Sequence, residues 1–306
     1  MDQSRFKRYS LIAAVALAAL ASSSSYAGPL RSLMGGGRQQ QGGDGGSDNA
    51  VTAPGVTQSN FNGRNLLVFA PQQLPPKGTR ALVVVLHGGL GSAERIEGSG
   101  NETDMSMDQA AQKYGFVVAY LNGTSVGPRF PDRYGWNAGG GCCGAPYKTN
   151  TDDVGYVTAA IGSLVSQYGV DPHKVYGMGH SNGAMMTQRL MCETNVYASA
   201  VVVSGTLMTR TSGSCAQGRG KKILAIHGAD DVNVPIAGGQ GQGLAGGTDF
   251  SSEAATEQVW SNTGASYQLD VVKGADHKVG DINDGLMQSE GVSISEKAAR
   301  FFGLAG

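Results

Sequence analysis

Short runs of branched apolar residues alternate with amphipathic segments from about residue 51 onwards. The runs that predict strands are RNLLVFAP, ALVVVLHGG, FVVAYLNG, KVYGMG, ASAVVVSG, KKILAIHG and SYQLDVVKG. The segments that predict helices are MDQAAQKYG, residues 151–168, GAMMTQRLMCE, SSEAATEQVWSN and SISEKAARFFG. Continuous apolar runs are typical of strands buried on both faces, and strands that alternate with helices form parallel sheets. The alternation therefore predicts an α/β fold in which helices cover both faces of a mostly parallel central sheet.

The first 50 residues differ in composition from the rest of the chain. Residues 1–27 have a basic start, an apolar run at 11–20 and the small-residue motif Ser25-Tyr26-Ala27, which is the pattern of a signal peptide. The apolar run is too short to span a bilayer, so we expect no stable membrane anchor. Residues 28–50 are rich in Gly and Gln without apolar periodicity and predict a flexible linker. Residues 51–306 would then form one folded domain of a secreted protein, extracellular or periplasmic.

Charge and cysteine content narrow the classes of function. The net charge is -1 and only 15% of residues are charged, which gives no support for nucleic-acid binding or for electrostatic attachment to a membrane. The four cysteines allow three pairings in an oxidising compartment. We favour a bond between Cys192 and Cys215, which leaves the adjacent Cys142 and Cys143 as a vicinal disulfide or as free thiols. No zinc-ligand spacing surrounds these cysteines, so we expect no metal.

A serine lies between two glycines in the segment KVYGMGHSNGAMM. The pattern Gly179-His180-Ser181-Asn182-Gly183 matches G-x-S-x-G, follows a predicted strand and precedes a predicted helix. This is the context of a nucleophile elbow, in which small flanking residues allow a sharp turn. The sequence therefore predicts Ser181 as a catalytic nucleophile.

A serine hydroxyl needs a base, and in this arrangement the acid and then the histidine follow the serine in the chain. His227 and His277 lie beyond Ser181. No acid at a strand end lies between Ser181 and His227, whereas His277 follows the last predicted strand, so we predict His277 as the base. The segment ILAIHGADDVNVP supplies Asp230 and Asp231 directly after a buried strand as candidates for the acid.

Acyl transfer also needs donors for the developing oxyanion. We predict the backbone N–H of Asn182 as one donor and the loop LHGGLGS, with Gly89 first and Leu90 next, as the source of the other. His87 precedes the serine and is interpreted as a brace for this loop. His180 and Trp136 are the candidates for substrate binding. Trp136 lies in the long segment from Leu121 to Asn150, and could equally pack beneath that segment without meeting substrate.

Several motifs together resemble the secreted α/β-hydrolase esterases of the polyhydroxybutyrate depolymerase and feruloyl esterase group. They are VVVLHGGLGSAE, YGWNAGGGCCG, DDVGYV, VDPHKVYGMGHSNGAMM, RLMCE and IHGADDVNVPIAGG, in the family order from about residue 60. The resemblance implies Ser181, Asp231 and His277 as the triad, because the family acid lies four residues after the His of H-G-x-x-D. It also implies that Asp152 and Asp153 cap a helix and pin the loop.

The resemblance implies a serine esterase without a cofactor. The first expectation is a hydroxybutyrate polyester or oligomer depolymerase. The alternatives are a feruloyl or acetylxylan esterase acting on plant cell-wall polysaccharide and, on the same fold, a serine peptidase. The expected partner is an ester substrate, polyester oligomer or polysaccharide-linked, with no nucleic acid and no metal.

Overall fold

A nine-stranded sheet organises the described part of the chain. The structure, a computed structural model, describes residues 51–53, 55–130, 132–208, 215–243 and 246–306. The predicted signal peptide and linker, residues 1–50, lie outside the described residues. The strands are β1 (Val51–Ala53), β2 (Val56–Phe61), β3 (Arg64–Phe69), β4 (Arg80–Leu86), β5 (Val117–Leu121), β6 (Thr124–Ser125), β7 (Tyr134–Gly135), β8 (Val170–His180), β9 (Ser199–Val203), β10 (Lys222–Gly228), β11 (Gly239–Gln240), β12 (Asp249–Phe250) and β13 (Ser266–Val272).

The strand order in the large sheet is β1-β2-β3-β5-β4-β8-β9-β10-β13. The strands from β5 to β13 in this order pair in parallel, whereas β1, β2 and β3 add an antiparallel edge. β6 pairs with β7, and β11 with β12, as separate short ribbons. All seven strands predicted from sequence are confirmed. The strand β2 was not predicted, because its residues after Val56 are half-buried or exposed and give no continuous apolar run.

Helices pack on both faces of this sheet. The helices of the described residues are α1 (Asp108–Tyr114), α2 (Gly144–Lys148), α3 (Asp153–Tyr168), α4 (Asn182–Glu193), α5 (Glu253–Thr263), α6 (Val279–Glu290) and α7 (Ile294–Phe301), of which α2 adjoins the short β6–β7 ribbon. Buried side chains of α3, α4 and α5 share one core with one face of the sheet. Those of α1, α6 and α7 share a second core with the opposite face. The predicted fold class is confirmed. Helix α6 was not predicted, because the polar and glycine residues in VGDINDGLMQSE obscure its periodicity.

The long segment between β5 and α3 is ordered by one buried carboxylate. Asp152 caps α3 by accepting a hydrogen bond from the N–H of Gly155 at 2.8 Å, as expected of an N-cap. Asp153 is fully buried and accepts hydrogen bonds from the N–H of Asn137 at 2.7 Å and from Arg64 at 2.6 Å. The expectation that these two aspartates cap the helix and pin the loop is confirmed.

Two disulfides are present. Cys192 at the end of α4 is bonded to Cys215, which confirms the favoured pairing. Cys142 and Cys143 form a vicinal disulfide within the segment between β7 and α2. Of the two possibilities left open for this pair, the structure therefore shows the bridge rather than free thiols.

The parallel register brings four chain segments to one edge of the sheet. Leu86 of β4 lies beside Gly179 of β8, and Gly228 of β10 lies beside Val272 of β13. The segments that follow these four strands therefore emerge together, as in other open parallel sheets that bind ligands at their carboxyl ends. They contain all the residues predicted for catalysis.

Candidate active site

Ser181 lies on a sharp turn between β8 and α4. Its backbone has φ 52 and ψ -119, which a non-glycine residue adopts only when its surroundings enforce it. A Cβ on Gly179 would overlap the carbonyl of Gly183, and a Cβ on Gly183 would overlap the carbonyl of Leu86. The two glycines of G-x-S-x-G are thus required by close backbone approach. The turn presents the Ser181 hydroxyl at the carboxyl edge of the sheet.

Three side chains form a continuous hydrogen-bonded chain at this edge. His277 Nε2 lies 2.9 Å from Ser181 Oγ, and His277 Nδ1 lies 2.7 Å from Asp231 Oδ2. Ser181 follows β8, Asp231 follows β10 and His277 follows β13. These are the distances expected when a nucleophile is hydrogen-bonded to its base and the base is oriented by an acid.

The carboxylate of Asp231 is held by four donors. Its Oδ1 accepts hydrogen bonds from the N–H groups of Asn233 at 2.9 Å and Val234 at 2.8 Å. Its Oδ2 accepts from His277 and lies 3.2 Å from Nε2 of His227. Burial would raise its pKa, but the hydrogen bonds from His227 and His277 outweigh burial and hold the pKa of Asp231 well below its ordinary value. Asp230, the other candidate from the sequence, is not part of this chain of hydrogen bonds.

His277 is poised to accept a proton. Burial lowers its pKa below the ordinary histidine value and outweighs the hydrogen bond to Asp231, which raises it. Since Asp231 accepts from Nδ1, the proton of the neutral ring lies on Nδ1 and leaves Nε2 as the acceptor for the Ser181 hydroxyl. The arrangement can therefore perform general base catalysis on that hydroxyl.

Two backbone N–H groups lie beside Ser181 without partners. Within the described ranges, neither the N–H of Gly89 nor that of Asn182 has a hydrogen-bond acceptor. A Cβ on Gly89 would lie 3.8 Å from Cβ of Asn182, so the two backbones are adjacent. The N–H of Leu90, in contrast, donates to the carbonyl of Tyr134 at 2.9 Å. The geometry thus supports Gly89 and Asn182 as oxyanion donors and leaves Leu90 as a residue that fixes the loop.

The two predicted substrate-binding residues are buried. Trp136 is 0% exposed, and its indole N–H donates to the carbonyl of His87 at 2.9 Å. This is the alternative in which Trp136 packs beneath the segment. His180 is 7% exposed, with one ring nitrogen on Glu102 and the other on the carbonyl of His277. Neither ring offers a free surface to a substrate, because other protein groups occupy both.

The side chain of Asn182 ties the elbow to the preceding loop. Its Oδ1 accepts from the N–H of Trp136 at 2.7 Å, and its Nδ2 donates to the carbonyl of Trp136 at 3.0 Å. These two hydrogen bonds to the backbone of Trp136 hold residues 134–136 against the turn. The sequence predicts a role for Asn182 only through its backbone N–H. The signal that could have revealed the amide is the choice of Asn directly after the nucleophile.

His87 braces the oxyanion loop. Its Nδ1 lies 2.7 Å from the carbonyl of Gly88, and its Nε2 lies 3.1 Å from the N–H of Gly123. Burial lowers the pKa of His87, which agrees with a neutral ring. The interpretation of His87 as a bracing residue agrees with this geometry.

Two glutamates near the site were not predicted from the sequence. Glu102 contacts His180 and accepts a hydrogen bond from the N–H of Gly88 at 2.9 Å. Glu253 lies 2.6 Å from Nδ1 of His227. Each is distant in the chain from its histidine and lies in a segment without a motif. Among the described residues, no three His, Cys, Asp or Glu side chains are grouped so as to hold a metal ion.

Comparisons with known proteins agree with this geometry. The chain is 30% identical over 186 residues to feruloyl esterase B of Piromyces equi, covering 60% of this chain and 32% of that protein. It is 31% identical over 157 residues to a poly(3-hydroxybutyrate) depolymerase of Ralstonia pickettii, covering 47% of this chain and 31% of that protein. It is 32% identical over 169 residues to a Nocardia uniformis protein named as the esterase NocK, covering 53% of this chain and 43% of that protein. No family model matches the chain.

Solved structures show the same architecture. Acetyl xylan esterase from Aspergillus awamori superposes with a TM-score of 0.53 at 18% identity, over 82% of this chain and 99% of that one. Esterase 2 of Thermogutta terrifontis superposes with a TM-score of 0.54 at 16% identity, over 83% of this chain and 96% of that one. The chain has the α/β-hydrolase fold. An acylaminoacyl peptidase of Pyrococcus horikoshii also matches, with a TM-score of 0.50, 12% identity and coverage of 78% of this chain and 38% of that one, so the fold alone does not separate ester from amide hydrolysis.

The resemblance to esterases that the motifs indicate is therefore confirmed. The matched regions span between 31% and 43% of the length of the three curated relatives. The chain therefore spans less than half the length of each of these relatives.

Proposed function

We propose that the protein is a serine-dependent carboxylic ester hydrolase. The observation that carries the proposal is the unbroken hydrogen-bonded chain from Ser181 through His277 to Asp231 beside the free N–H groups of Gly89 and Asn182. These are the parts that acyl transfer through a covalent intermediate requires. The names of the curated relatives support the same class of reaction.

The geometry gives each group one role in acylation. Ser181 Oγ attacks the ester carbonyl carbon while His277 Nε2 takes the hydroxyl proton. The carbonyl oxygen becomes an oxyanion and accepts hydrogen bonds from the two backbone N–H groups, each donor worth about 3–4 kcal/mol in comparable sites. Asp231 stabilises the imidazolium that forms. The carbon–oxygen bond to the alcohol then breaks, and His277 returns its proton to the leaving alcohol.

Deacylation repeats the same steps with water as the nucleophile. His277 takes a proton from a water molecule as that water attacks the acyl carbon bonded to Ser181. The tetrahedral species collapses, the free acid leaves and Ser181 recovers its proton from His277. This cycle needs only the side chains and backbone groups already described.

The substrate class is a finer proposal. A cleft of about 380 Å³ lies at the same edge of the sheet, and the polar residues that line it are Asn62, Arg64, Asn65, Thr124, Ser125, Tyr134 and Thr151. Tyr134 connects this cleft to the site, since its carbonyl accepts from Leu90 and the next residue, Gly135, adjoins the amide of Asn182. Amide and hydroxyl groups suit a polyhydroxylated ligand, whereas the guanidinium of Arg64 is already paired with Asp153. We therefore propose an acyl group carried on a sugar, with a hydroxybutyrate oligomer as the second candidate.

A substrate panel separates these possibilities. The purified protein is assayed on p-nitrophenyl acetate, methyl ferulate, acetylated xylo-oligosaccharides, hydroxybutyrate oligomers and a peptide amide. We expect ester turnover that is lost in Ser181→Ala. We also expect a higher kcat/KM for the acetylated oligosaccharide than for the hydroxybutyrate oligomer. A preferred peptide amide would instead favour a peptidase, and a preferred oligomer would favour the depolymerase.

The cleft is tested by variants at its exposed wall. Asn65→Ala and Ser125→Ala should raise KM for acetylated xylo-oligosaccharides and leave p-nitrophenyl acetate unchanged, because the small ester does not reach the cleft. An equal effect on both substrates would remove the argument for a sugar site while leaving the esterase proposal intact.

We also propose that the protein works outside the cytoplasm. The bonds Cys192–Cys215 and Cys142–Cys143 fit an oxidising compartment. No helix of the described residues is long and apolar enough to cross a membrane. Finding the cysteines reduced in protein recovered from its native compartment would overturn this proposal.

A further inference from the structure

Two buried histidines flank the triad, each beside a buried glutamate. His227, in β10, is 0% exposed and lies behind Asp231. His180, at the end of β8, is 7% exposed and lies behind His277. Their partners, Glu253 and Glu102, are 2% and 6% exposed. Buried charges are costly unless they are paired, so a charge on either histidine requires the glutamate beside it.

The contacts of His227 match its doubly protonated, cationic state. Its Nδ1 lies 2.6 Å from a carboxylate oxygen of Glu253, and its Nε2 lies 2.8 Å from the carbonyl of Val234 and 3.2 Å from Asp231. A carbonyl and an ionised carboxylate can only accept hydrogen bonds. Acceptors at both ring nitrogens therefore match the form in which both nitrogens carry hydrogen. Glu253 is also an acceptor on its other oxygen, which receives the hydroxyl of Tyr267 at 2.5 Å.

The contacts of His180 lead to the same state. Its Nδ1 lies 2.5 Å from Glu102, and its Nε2 lies 3.0 Å from the carbonyl of His277. Glu102 accepts a second hydrogen bond from the N–H of Gly88, so it too is matched to the ionised form. A Cβ on Gly88 would lie 2.6 Å from Glu102 and 2.9 Å from His180, which shows how closely this pair packs against the oxyanion loop.

The other two histidines of the site are matched to the neutral state. His87 accepts the N–H of Gly123 on one nitrogen, and His277 accepts the hydroxyl of Ser181 on one nitrogen. The directions of the pKa values agree with this division. Burial opposes charge on all four rings, but hydrogen bonds to carboxylates outweigh it at His180 and raise the pKa of His227 to about 9, whereas the pKa values of His87 and His277 are lowered.

We propose that His180 and His227 are imidazolium ions across neutral pH that position the triad and keep His277 unprotonated in mildly acidic solution. Both are positioning residues, since they act through His277 and Asp231 and do not touch the reacting atoms. Their kinetic effect rests on the proposed esterase function. Their charge state does not, and it can be measured without any substrate.

The charged groups around His277 determine the direction in which its pKa would shift. Asp231 favours its protonated form, whereas the cations at His180 and His227 disfavour that form. Glu253 contacts Nδ1 of His227, the ring nitrogen that does not face Asp231. Glu102 contacts Nδ1 of His180, the ring nitrogen that does not face the carbonyl of His277. On the same loop as His277, Asp276 and Lys278 form an exposed ion pair with each other, with Lys278 also 3.6 Å from Asp281. Removing either buried cation should therefore raise the pKa of His277.

The kinetic test is the acid limb of the pH profile of kcat/KM for p-nitrophenyl acetate. His227→Gln keeps an amide N–H but removes the charge, and His227→Gln/Glu253→Gln replaces the whole ion pair by a neutral amide pair. We expect the acid limb of both variants to move up by about one pH unit, which lowers kcat/KM at the acid end about tenfold relative to the alkaline plateau. His87→Gln is the matched control, because it removes a buried histidine that carries no charge. It should lower the plateau without moving the limb. A limb that stays in place in both His227 variants overturns the proposal.

The substrate-free test is 15N NMR of the full chain labelled in histidine, with resonances assigned by single His→Gln variants. At pH 7.5, both ring nitrogens of His180 and of His227 should show the imidazolium shift, while His87 and His277 show one protonated and one unprotonated nitrogen. A neutral pattern at either His180 or His227 overturns the proposal even if the esterase activity is found. Absence of ester turnover together with two imidazolium patterns overturns the proposed function and leaves the charge assignment standing.

Discussion

Replacing Asn182 with alanine tests how the nucleophile elbow is held. The amide of Asn182 accepts from the N–H of Trp136 at 2.7 Å and donates to its carbonyl at 3.0 Å. The carbonyl keeps a second partner, the N–H of Cys143 at 3.3 Å, but the N–H of Trp136 is left buried without an acceptor. An orphaned buried group costs about 1–3 kcal/mol and the loss of one further hydrogen bond about 1 kcal/mol. Asn182→Ala should therefore destabilise the protein by about 3 kcal/mol.

The effect should appear in both stability and rate. For a domain of this size, about 3 kcal/mol lowers Tm by roughly 6–12 °C, which calorimetry or urea unfolding detects readily. Because residues 134–136 also hold the loop that carries Gly89, kcat should fall about tenfold while the mutated side chain itself touches no substrate. Asn182→Asp keeps the acceptor for Trp136 and should lie between alanine and wild type.

Asn195→Ala is the matched control. Its amide makes one exposed hydrogen bond to Gln217 at 2.7 Å, so its loss should change stability by less than about 0.5 kcal/mol. If Asn182→Ala unfolds at the same denaturant concentration as Asn195→Ala and retains the wild-type kcat, the amide does not hold the elbow and the reasoning fails.

Three further predictions concern Gly183, the Cys192–Cys215 disulfide and the proposed cation at His227. Gly183→Ala places a methyl group against the carbonyl of Leu86, and should abolish ester turnover with a loss of folded protein on circular dichroism, whereas Gly162→Ala, which meets nothing within 4 Å, should be tolerated. The double variant Cys192→Ser/Cys215→Ser opens a bond of sequence separation 23 and should lose about 3 kcal/mol in urea unfolding; an unchanged midpoint would contradict this. The pKa of His227 rises from 6.5 to about 9 on folding, so its contribution of up to about 3 kcal/mol is present below pH 6.5 and lost as pH rises through about 9. Unfolding free energies measured from pH 6 to 10 should show this decline in wild type and not in His227→Gln/Glu253→Gln.

The fold followed from the sequence where burial leaves a strong local pattern. The central strands are buried on both faces, as in VVVLHGG and AVVVSG, and their unbroken apolar runs could be recognised directly. β2 and α6 could not be recognised in this way. β2 is half exposed at the antiparallel edge, and α6 is held mainly by the second core through Val279, Ile282 and Leu286 rather than by its own periodicity.

The site was predictable to the extent that chain order encodes it. The order Ser181, Asp231, His277 and the glycines of the elbow are local features of strand ends. Glu102 and Glu253 are not, because they meet His180 and His227 across 78 and 26 residues of sequence. The burial of Trp136 and His180 likewise depends on tertiary packing, and an aromatic residue in a long loop gives no indication of which side of the loop it faces.

The most direct measurement is the covalent reaction of Ser181 itself. The full chain is incubated with a fluorophosphonate, which phosphonylates activated serines, and is analysed by intact mass and peptide mapping. We expect one adduct per chain, on Ser181, with loss of p-nitrophenyl acetate turnover in step with labelling, and neither adduct nor turnover in Ser181→Ala. A label on another residue, or turnover that survives in Ser181→Ala, would contradict it.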